Sequence, residues 1–381
     1  MPSQRAVPPQ LLRLACRQGG LVSAEQCEAA GVGASRRRNL VARGAWHRVS
    51  RGVFDTGTTP VDMHPYDVAR LRAVWSTLLA NRRAIAVGAC ALVLHGVQGL
   101  PRDLVPESAL PRGAAGRARD GTVLRQYVTR AETVRIHGRE VDEPELALVQ
   151  ALPTLSRDDA VACLDSALHR GLIETTQLVA IRRRLRRRRD SLKVIPWLSL
   201  TDGRAESPPE SHARLRCHDA GIAPDDLQRD FFDAAGRFLG RADMVWHLGG
   251  GRWLIVEIDS QEFHGTDRQV EDDAVRQNGL LGEGRNIVLR FFPTHLSDAV
   301  DTIADVLARE GWRHGRPLPP RPAASNPPGV DHSGCCQRGA VPGSNRCGQR
   351  VGRRRCGQWL EARGVAAAAA SGAGSGSGDS R

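Results

Sequence analysis

The chain has 381 residues, with 54 Lys and Arg against 42 Asp and Glu and a formal charge of +12. That length allows two or three domains; no run of 18 apolar residues is present and the start, MPSQRAVPPQ, is polar, so a soluble cytoplasmic protein with no membrane partner is expected. Aromatic residues make up only 4%, which argues against a base-stacking platform for single strands.

The positive balance invites a nucleic-acid partner. Lys193 is the single lysine, however, and Ala and Gly are abundant, a skew typical of high-GC coding. The placement of the arginines therefore matters more than their number. Residues 1–58 read as one unit. QLLRLACRQGG predicts a helix stopped by glycine. LVSAEQCEAAGV puts Ser23 and Gln26 at capping-box spacing, with Gly31 as the stop. In GASRRRNLVARGAW, Ser35 is expected to cap a third helix closed by Gly44, and WHRVSRGVFD alternates as a hairpin. Three short helices and a basic hairpin describe a winged helix-turn-helix. Arg36, Arg37 and Arg38 crowd the first turn of the third helix, where cations oppose the helix dipole at up to ~1 kcal/mol each. That cost makes sense where the turn faces phosphates or base edges. With Ser35 and the wing residues Arg48 and Arg51, they are the candidate contacts to double-stranded DNA. A protein-binding winged helix is the alternative.

LVSAEQCEAAGVGASRRRNLVARGAWHRVSRGVFD resembles the N-terminal winged-helix domain of AbiEi-type antitoxins from type IV toxin–antitoxin systems. The markers are the hydrophobic–Ser opening at Val22–Ser23, the Leu40/Gly44 helix end and the RV-x-R-GVF wing. The resemblance implies a DNA-binding module that autoregulates transcription, and a cognate toxin as a partner. Similar domains head many actinobacterial proteins that need not be antitoxins.

Residues 59–195 form a mixed α/β segment. YDVARLRAVWSTLLAN and AIAVGACALVLHGV read as helices, and TVLRQYVTR and ETVRIHGREV as strands. ELALVQALPTLSRDDAVACLDSALHRGLI and TTQLVAIRRRL read as helices again. His95 lies on an apolar face and is expected to pack rather than to ligate. Residues 182–189 hold seven Arg in eight positions, broken by Leu185. A solvated helix end and a phosphate clamp are both open readings.

Residues 196–312 predict the order αβββαβα, a mixed sheet with flanking helices. The central hairpin is RADMVWHLGGGRWLIVEIDSQEFH. Leu254, Ile255 and Val256 run into Glu257, so the second strand is expected to be buried on both faces. Glu257 and Asp259 share one side of it, and Asp243 sits across the hairpin. Three convergent carboxylates would repel unless a cation lay between them, and oxygen donors suit Mg²⁺ or Mn²⁺.

This module resembles the PD-(D/E)XK nuclease superfamily, and more closely a Vsr (very-short-patch-repair)-related domain of unknown function. The expected fold class is α+β or α/β and multidomain, with a winged helix-turn-helix, a middle α/β segment and a restriction-endonuclease-like mixed sheet with flanking helices. Matching positions are Glu210 in SPPES, Asp243 in GRAD, Glu257 and Asp259 in VEID, and His264 in SQEFH; Asp273, Arg276 and Arg290 follow. The resemblance implies metal-dependent hydrolysis of DNA. Asp243 and Glu257 would hold Mg²⁺, and Glu210 would complete its shell or hold a second ion through water. His264 would serve as general acid or base, and Arg276 would stabilise charge or pair structurally with Asp259 or Asp273, so Asp243, Glu257, Asp259, His264 and Arg276 are the candidate catalytic residues. One departure stands out. Asp259 occupies the position where the superfamily keeps Lys, so a binding-only module, and hence a non-catalytic regulator, is the alternative function.

Cys16, Cys27, Cys90, Cys163 and Cys217 are scattered in apolar or helical contexts and read as buried or free thiols. Residues 313–381, with Cys335, Cys336, Cys347 and Cys356 in no zinc-like spacing, lack apolar periodicity and are expected to be disordered.

Overall fold

The computed structural model describes residues 6–60, 63–118, 121–127, 133–188, 191–233, 235–259, 280–281 and 285–321. Near the N-terminus, α1 (Pro9–Arg17), β1 (Leu21–Ser23), α2 (Ala24–Ala29) and α3 (Ala34–Ala42) precede the hairpin of β2 (His47–Ser50) and β3 (Val53–Asp55). The sheet order is β1-β3-β2, all antiparallel, which is the winged arrangement. The capping box of α2 is formed: Gln26 N–H donates to Ser23 Oγ at 3.1 Å and Ser23 N–H to Gln26 Oε1 at 2.9 Å. Ser35 does not cap α3. The N-cap is Gly33, which has no side chain to offer, and Ser35 lies inside the first turn. The wing turns at Arg51–Gly52, where Gly52 takes φ +82°, a conformation reserved for glycine. Leu11, Ala15, Val22, Cys27, Val32 and Trp46 fill the core beneath the helices.

The middle segment runs α4 (Pro65–Ala80), β4 (Ile85–Ala86), α5 (Gly88–Leu94), β5 (Glu107–Ala109), β6 (Val123–Arg125), β7 (Thr133–Ile136), β8 (Arg139–Asp142), α6 (Pro144–Ala151), α7 (Arg157–His169) and α8 (Gln177–Leu185). Its strands form a mixed sheet in the order β6-β5-β4-β8-β7. Two expectations change. The apolar stretch read as one helix opens with β4 before α5, and the long helix expected over 145–173 breaks at Leu152–Thr154, where Pro153 cannot continue the hydrogen-bond ladder. His95 packs as expected, its Nε2 2.8 Å from the Asp142 carbonyl oxygen and its pKa lowered by burial.

The third segment comprises α9 (Pro208–Asp219), β9 (Asp226–Phe232), β10 (Phe238–Gly249), β11 (Arg252–Ile258), β12 (Ile287–Phe291) and α10 (Leu296–Arg309). The sheet order is β12-β11-β10-β9, with β11 and β12 parallel and the other pairs antiparallel. Met244, Trp246, Leu254 and Val256 pack with α9 and α10 on one face, and Val245, Trp253 and Ile255 lie on the other. β11 is thus buried on both faces, as its continuous apolar run requires.

The segments are not separated by open linkers. Leu21 and Val53 of the wing share a core with Val74 and Leu78 of α4, and Arg72 reaches Asp55 at 2.6 Å. Asp165 of α7, buried to 1%, accepts from Ser211 Oγ and Arg214 Nη2 of α9, each at 2.8 Å. Residues Met1–Ala323 accordingly form one compact unit. The expectation of disorder from residue 313 onward fails for its first stretch. Residues up to Arg321 lie against the third sheet: Arg229 Nη2 donates to the Pro319 carbonyl at 3.1 Å, and Arg321 Nη2 to Asp226 Oδ1 at 2.6 Å. Residues 322–381, with their four cysteines, lie outside the described residues.

Candidate functional site

The acids of the third segment meet on neighbouring strands. Met244 pairs with Val256 and with Leu227, and Glu257 pairs with Arg290. Continuing that register sets Gln228, Asp243, Glu257 and Arg290 side by side across β9, β10, β11 and β12, because directly opposed residues point to one face. Glu210 joins the row from the first turn of α9. Gln228 Nε2 donates to Glu210 Oε2 at 2.9 Å and to Asp243 Oδ1 at 3.2 Å. The Ile258 N–H donates to Asp243 Oδ2 at 2.8 Å, and Arg290 Nε to Glu257 Oε2 at 2.8 Å. Three glycines at 249–251, all with positive φ, close the β10–β11 hairpin and fix this register.

Gln228 was absent from the sequence reading. It has φ +49°, a left-handed conformation unusual for a non-glycine residue and worth roughly 1–3 kcal/mol of strain. That twist turns its amide toward two carboxylates. A polar residue at the end of an alternating strand was the only signal, and it does not reveal a backbone outlier. The double role of Glu210 was missed as well. Ser207 is the N-cap of α9 and its hydroxyl donates to Glu210 Oε1 at 2.7 Å, while the Glu206 N–H donates to Glu210 Oε2 at 2.9 Å. Glu210 therefore closes the N-terminus of its own helix in addition to facing Asp243.

Electrostatics single out Asp243. Burial, then the neighbouring charges of Glu210 and Glu257, push its pKa up to about 7. Burial also raises Glu210. Two acids that resist ionisation together mark a place where positive charge is short. The donors do not form a three-acid cage: Arg290 already holds Glu257, the Gln228 amide stands between Glu210 and Asp243, and among the described residues no three His, Cys, Asp or Glu side chains gather closely enough to hold a metal. They fit the sparser site that Mg²⁺ uses, with one or two carboxylates and the remaining positions left to water and phosphate. Asp259 lies just past β11, half-buried, with its N–H on the Phe291 carbonyl at 3.0 Å. His264, Asp273 and Arg276 lie outside the described residues.

The winged helix separates its arginines into two kinds. Arg37 is 8% exposed; its guanidinium donates to the Val32 carbonyl at 2.7 Å and Glu28 Oε1 at 2.8 Å, and lies over the Phe54 ring. It ties α3 to α2 and the wing as an internal brace, where exposure toward DNA was expected. Arg36 is half-buried and donates to the Ala6 carbonyl at 2.9 Å. Ser35, Arg38, Arg48 and Arg51 are exposed, together with Arg43 at the end of α3 and His47 on the wing. Among the described residues, Arg38 reaches only Ser35 Oγ, at 3.2 Å, and Arg48 only the Ser50 carbonyl, at 3.5 Å. These weak local contacts leave both guanidinium groups available to an outside anion.

Helix, turn, helix and basic wing occupy one continuous stretch. Residues 9–54 match the family of AbiEi antitoxin transcriptional regulators. The AbiEi match ends with β3 and so coincides with the winged unit itself. Over a longer span, the chain is 29% identical across 248 residues to an uncharacterized protein of Mycobacterium tuberculosis, found in strains CDC 1551 and H37Rv. The alignment covers 65% of this chain and 86% of that relative. No helix among the described residues is long and apolar enough to cross a membrane.

Proposed function

We propose that this chain is a DNA-binding transcriptional regulator whose winged helix grips duplex DNA through Arg38, Arg48 and Arg51. The observation that carries the reading is the exposed basic surface of α3 and the wing, built on a segment that matches AbiEi antitoxin regulators. In such a motif the third helix enters the major groove and the wing rests on the backbone. Exposed guanidinium groups supply phosphate contacts and bidentate donors to guanine. The promoter of the protein's own gene is the natural first target, and a cognate toxin the natural protein partner, for an antitoxin-like regulator. The test is a salt-titrated binding assay with that promoter. The triple variant Arg38→Ala, Arg48→Ala, Arg51→Ala is expected to bind at least 100-fold more weakly while melting normally. Arg37→Ala, by contrast, strips the Val32 carbonyl and Glu28 of their donor and is expected to cost about 2–3 kcal/mol of stability. Unchanged promoter binding by the triple variant would rule this reading out.

The acid row favours a second reading for the third segment, a Mg²⁺-dependent nuclease-like centre. Asp243 and Glu257 would hold the ion, with Glu210 beside them, and the bound ion would supply a more acidic water and polarise a phosphate. Without an ion, burial and the neighbouring acids hold the Asp243 carboxyl well above the ordinary carboxylate range, and a bound cation would relieve that and favour its ionised form. Supercoiled plasmid incubated with the protein and Mg²⁺ is expected to be nicked, and Asp243→Ala and Glu257→Ala to abolish nicking. Equal nicking by all three proteins, or by none, excludes a nuclease.

A further inference from the structure

The arginine run after Gln177 is ordered by its helix into two faces. Ile181 and Leu185, both 0% exposed, anchor α8 in the core of the middle segment. Arg184 and Arg188 flank that anchor: Arg184 pairs with Glu145 at 3.0 Å, and Arg188 lies 5.1 Å over the Tyr127 ring. The helical path continues past Leu185 in a tighter turn, with Arg186 N–H on the Arg182 carbonyl and Arg187 N–H on the Arg184 carbonyl, both at 3.2 Å. At ~100° per residue through Leu185 and ~120° through the tighter turn, Arg182, Arg183, Arg186 and Arg187 therefore share an arc of roughly 140–180° on the side away from the anchor. All four are exposed, and among the described residues none of their side chains has an ion pair or hydrogen bond. Of the six described arginines of the run, Arg184 and Arg188 are held by Glu145 and the Tyr127 ring, and the other four are exposed on one outward face.

Such a face has a cost. Arg182 stands over Arg186 and Arg183 over Arg187, and each like-charge pair one turn apart costs about 0.2–0.5 kcal/mol. The C-terminal end of the helix dipole offsets part of that. A polyanion would remove the repulsion outright. The chemistry selects its kind. Guanidinium forks match phosphate oxygens in pairs. Two rungs spaced by one helical turn, about 5.4 Å, fall within reach of successive phosphates of one strand. Val179, 73% exposed, is the one large apolar side chain on this arc, too little for insertion into a lipid surface.

We propose that the outer face of α8, formed by Arg182, Arg183, Arg186 and Arg187, is a second DNA-docking surface that grips the phosphate backbone without reading sequence. It rests on the DNA-binding reading above but uses different residues. Neutralising four phosphates contributes about 3–4 to the slope of log affinity against log salt.

The test uses the full chain and a duplex of unrelated sequence, with affinity measured across a salt series. The quadruple variant Arg182→Gln, Arg183→Gln, Arg186→Gln, Arg187→Gln is expected to lower the slope by about three. Between ~50 and ~200 mM salt, the wild type should then lose on the order of 100-fold more affinity than the variant. The matching quadruple Lys variant should keep the wild-type slope, which separates charge from folding; circular dichroism and melting confirm that both variants fold. A wild-type slope in the Gln variant overturns the α8 proposal, as does a Gln variant that loses binding only to anionic phospholipid vesicles. If the wing triple variant fails to bind its promoter while the Gln variant keeps the full slope, the docking surface is wrong and the regulator reading stands. If the wild type binds no duplex at low salt, both fall.

Discussion

Asp243 is an acid that the fold holds against its tendency to ionise. Its ordinary pKa is 3.8, and in the fold burial and the charges of Glu210 and Glu257 raise it to about 7. Between these values the folded state holds a proton that the unfolded chain has released, so stability falls as pH rises from about 4 to about 7 and stays reduced above that. Three pKa units set an upper bound of about 4 kcal/mol, and relaxation around a half-buried group lowers it. Asparagine keeps an oxygen for the Ile258 N–H and cannot ionise. Asp243→Asn should therefore gain stability relative to wild type by about 1–4 kcal/mol between pH 4 and pH 8, read from denaturant unfolding at the two pH values. A pH-independent difference would mean that Asp243 ionises normally in the fold. The strained Gln228 belongs to the same trade: a twisted backbone and a reluctant carboxyl are kept at one spot, a pattern concentrated at functional sites.

At the level of single elements, what could be read from the sequence depended on whether the deciding interaction was local. The capping box at Ser23 and Gln26 was legible because both partners lie within one turn. So was the doubly buried β11, whose apolar run Leu254–Val256 leaves no polar face. The pairing of acids on β10 and β11 followed from a hairpin closed by glycines 249–251. Non-local partners were not legible. Arg36, Arg37 and Arg38 are identical in sequence, yet only Arg37 meets Glu28, Val32 and Phe54, because α3 turns that one position inward. β5 is three residues long and exists through its pairing with β4 and β6. In the 182–188 run, the separation into inner and outer arginines is set by where Ile181 and Leu185 find their core. Helical periodicity alone could have located that outer face, had the two aliphatic anchors been weighed before the charges.

On the scale of the whole molecule, the segment after α10 acts as a strap over the third sheet. Asp226 sits at its centre, 6% exposed, and receives Arg204 at 2.7 Å, Arg229 at 3.1 Å and Arg321 at 2.6 Å. Burial alone would raise its pKa; the hydrogen bond and charge of Arg321, with Arg229 and the Leu227 N–H, outweigh burial and hold it below 3.8. The strap also covers His247, whose Nδ1 lies 3.1 Å from the Pro317 carbonyl, and supplies Arg316 to the Leu248 carbonyl. A chain ending at Arg321 keeps every one of these contacts. A chain ending at Trp312 removes those made by residues 316–321, keeps Arg204 and Arg229 on Asp226, and leaves Arg229 and Asp226 only partly satisfied. At about 0.5–1.5 kcal/mol for each lost hydrogen bond, with one charged network, the loss should be about 2–4 kcal/mol near neutral pH. Because the folded pKa of Asp226 is depressed, its share of that stability is present above pH ~4 and disappears as pH falls through the depressed value. The gap between the two truncations should thus narrow in acid, which paired thermal melts at pH 7 and pH 3 would read directly. Identical melting of the two chains at pH 7 would mean that the strap rests on the sheet without holding it.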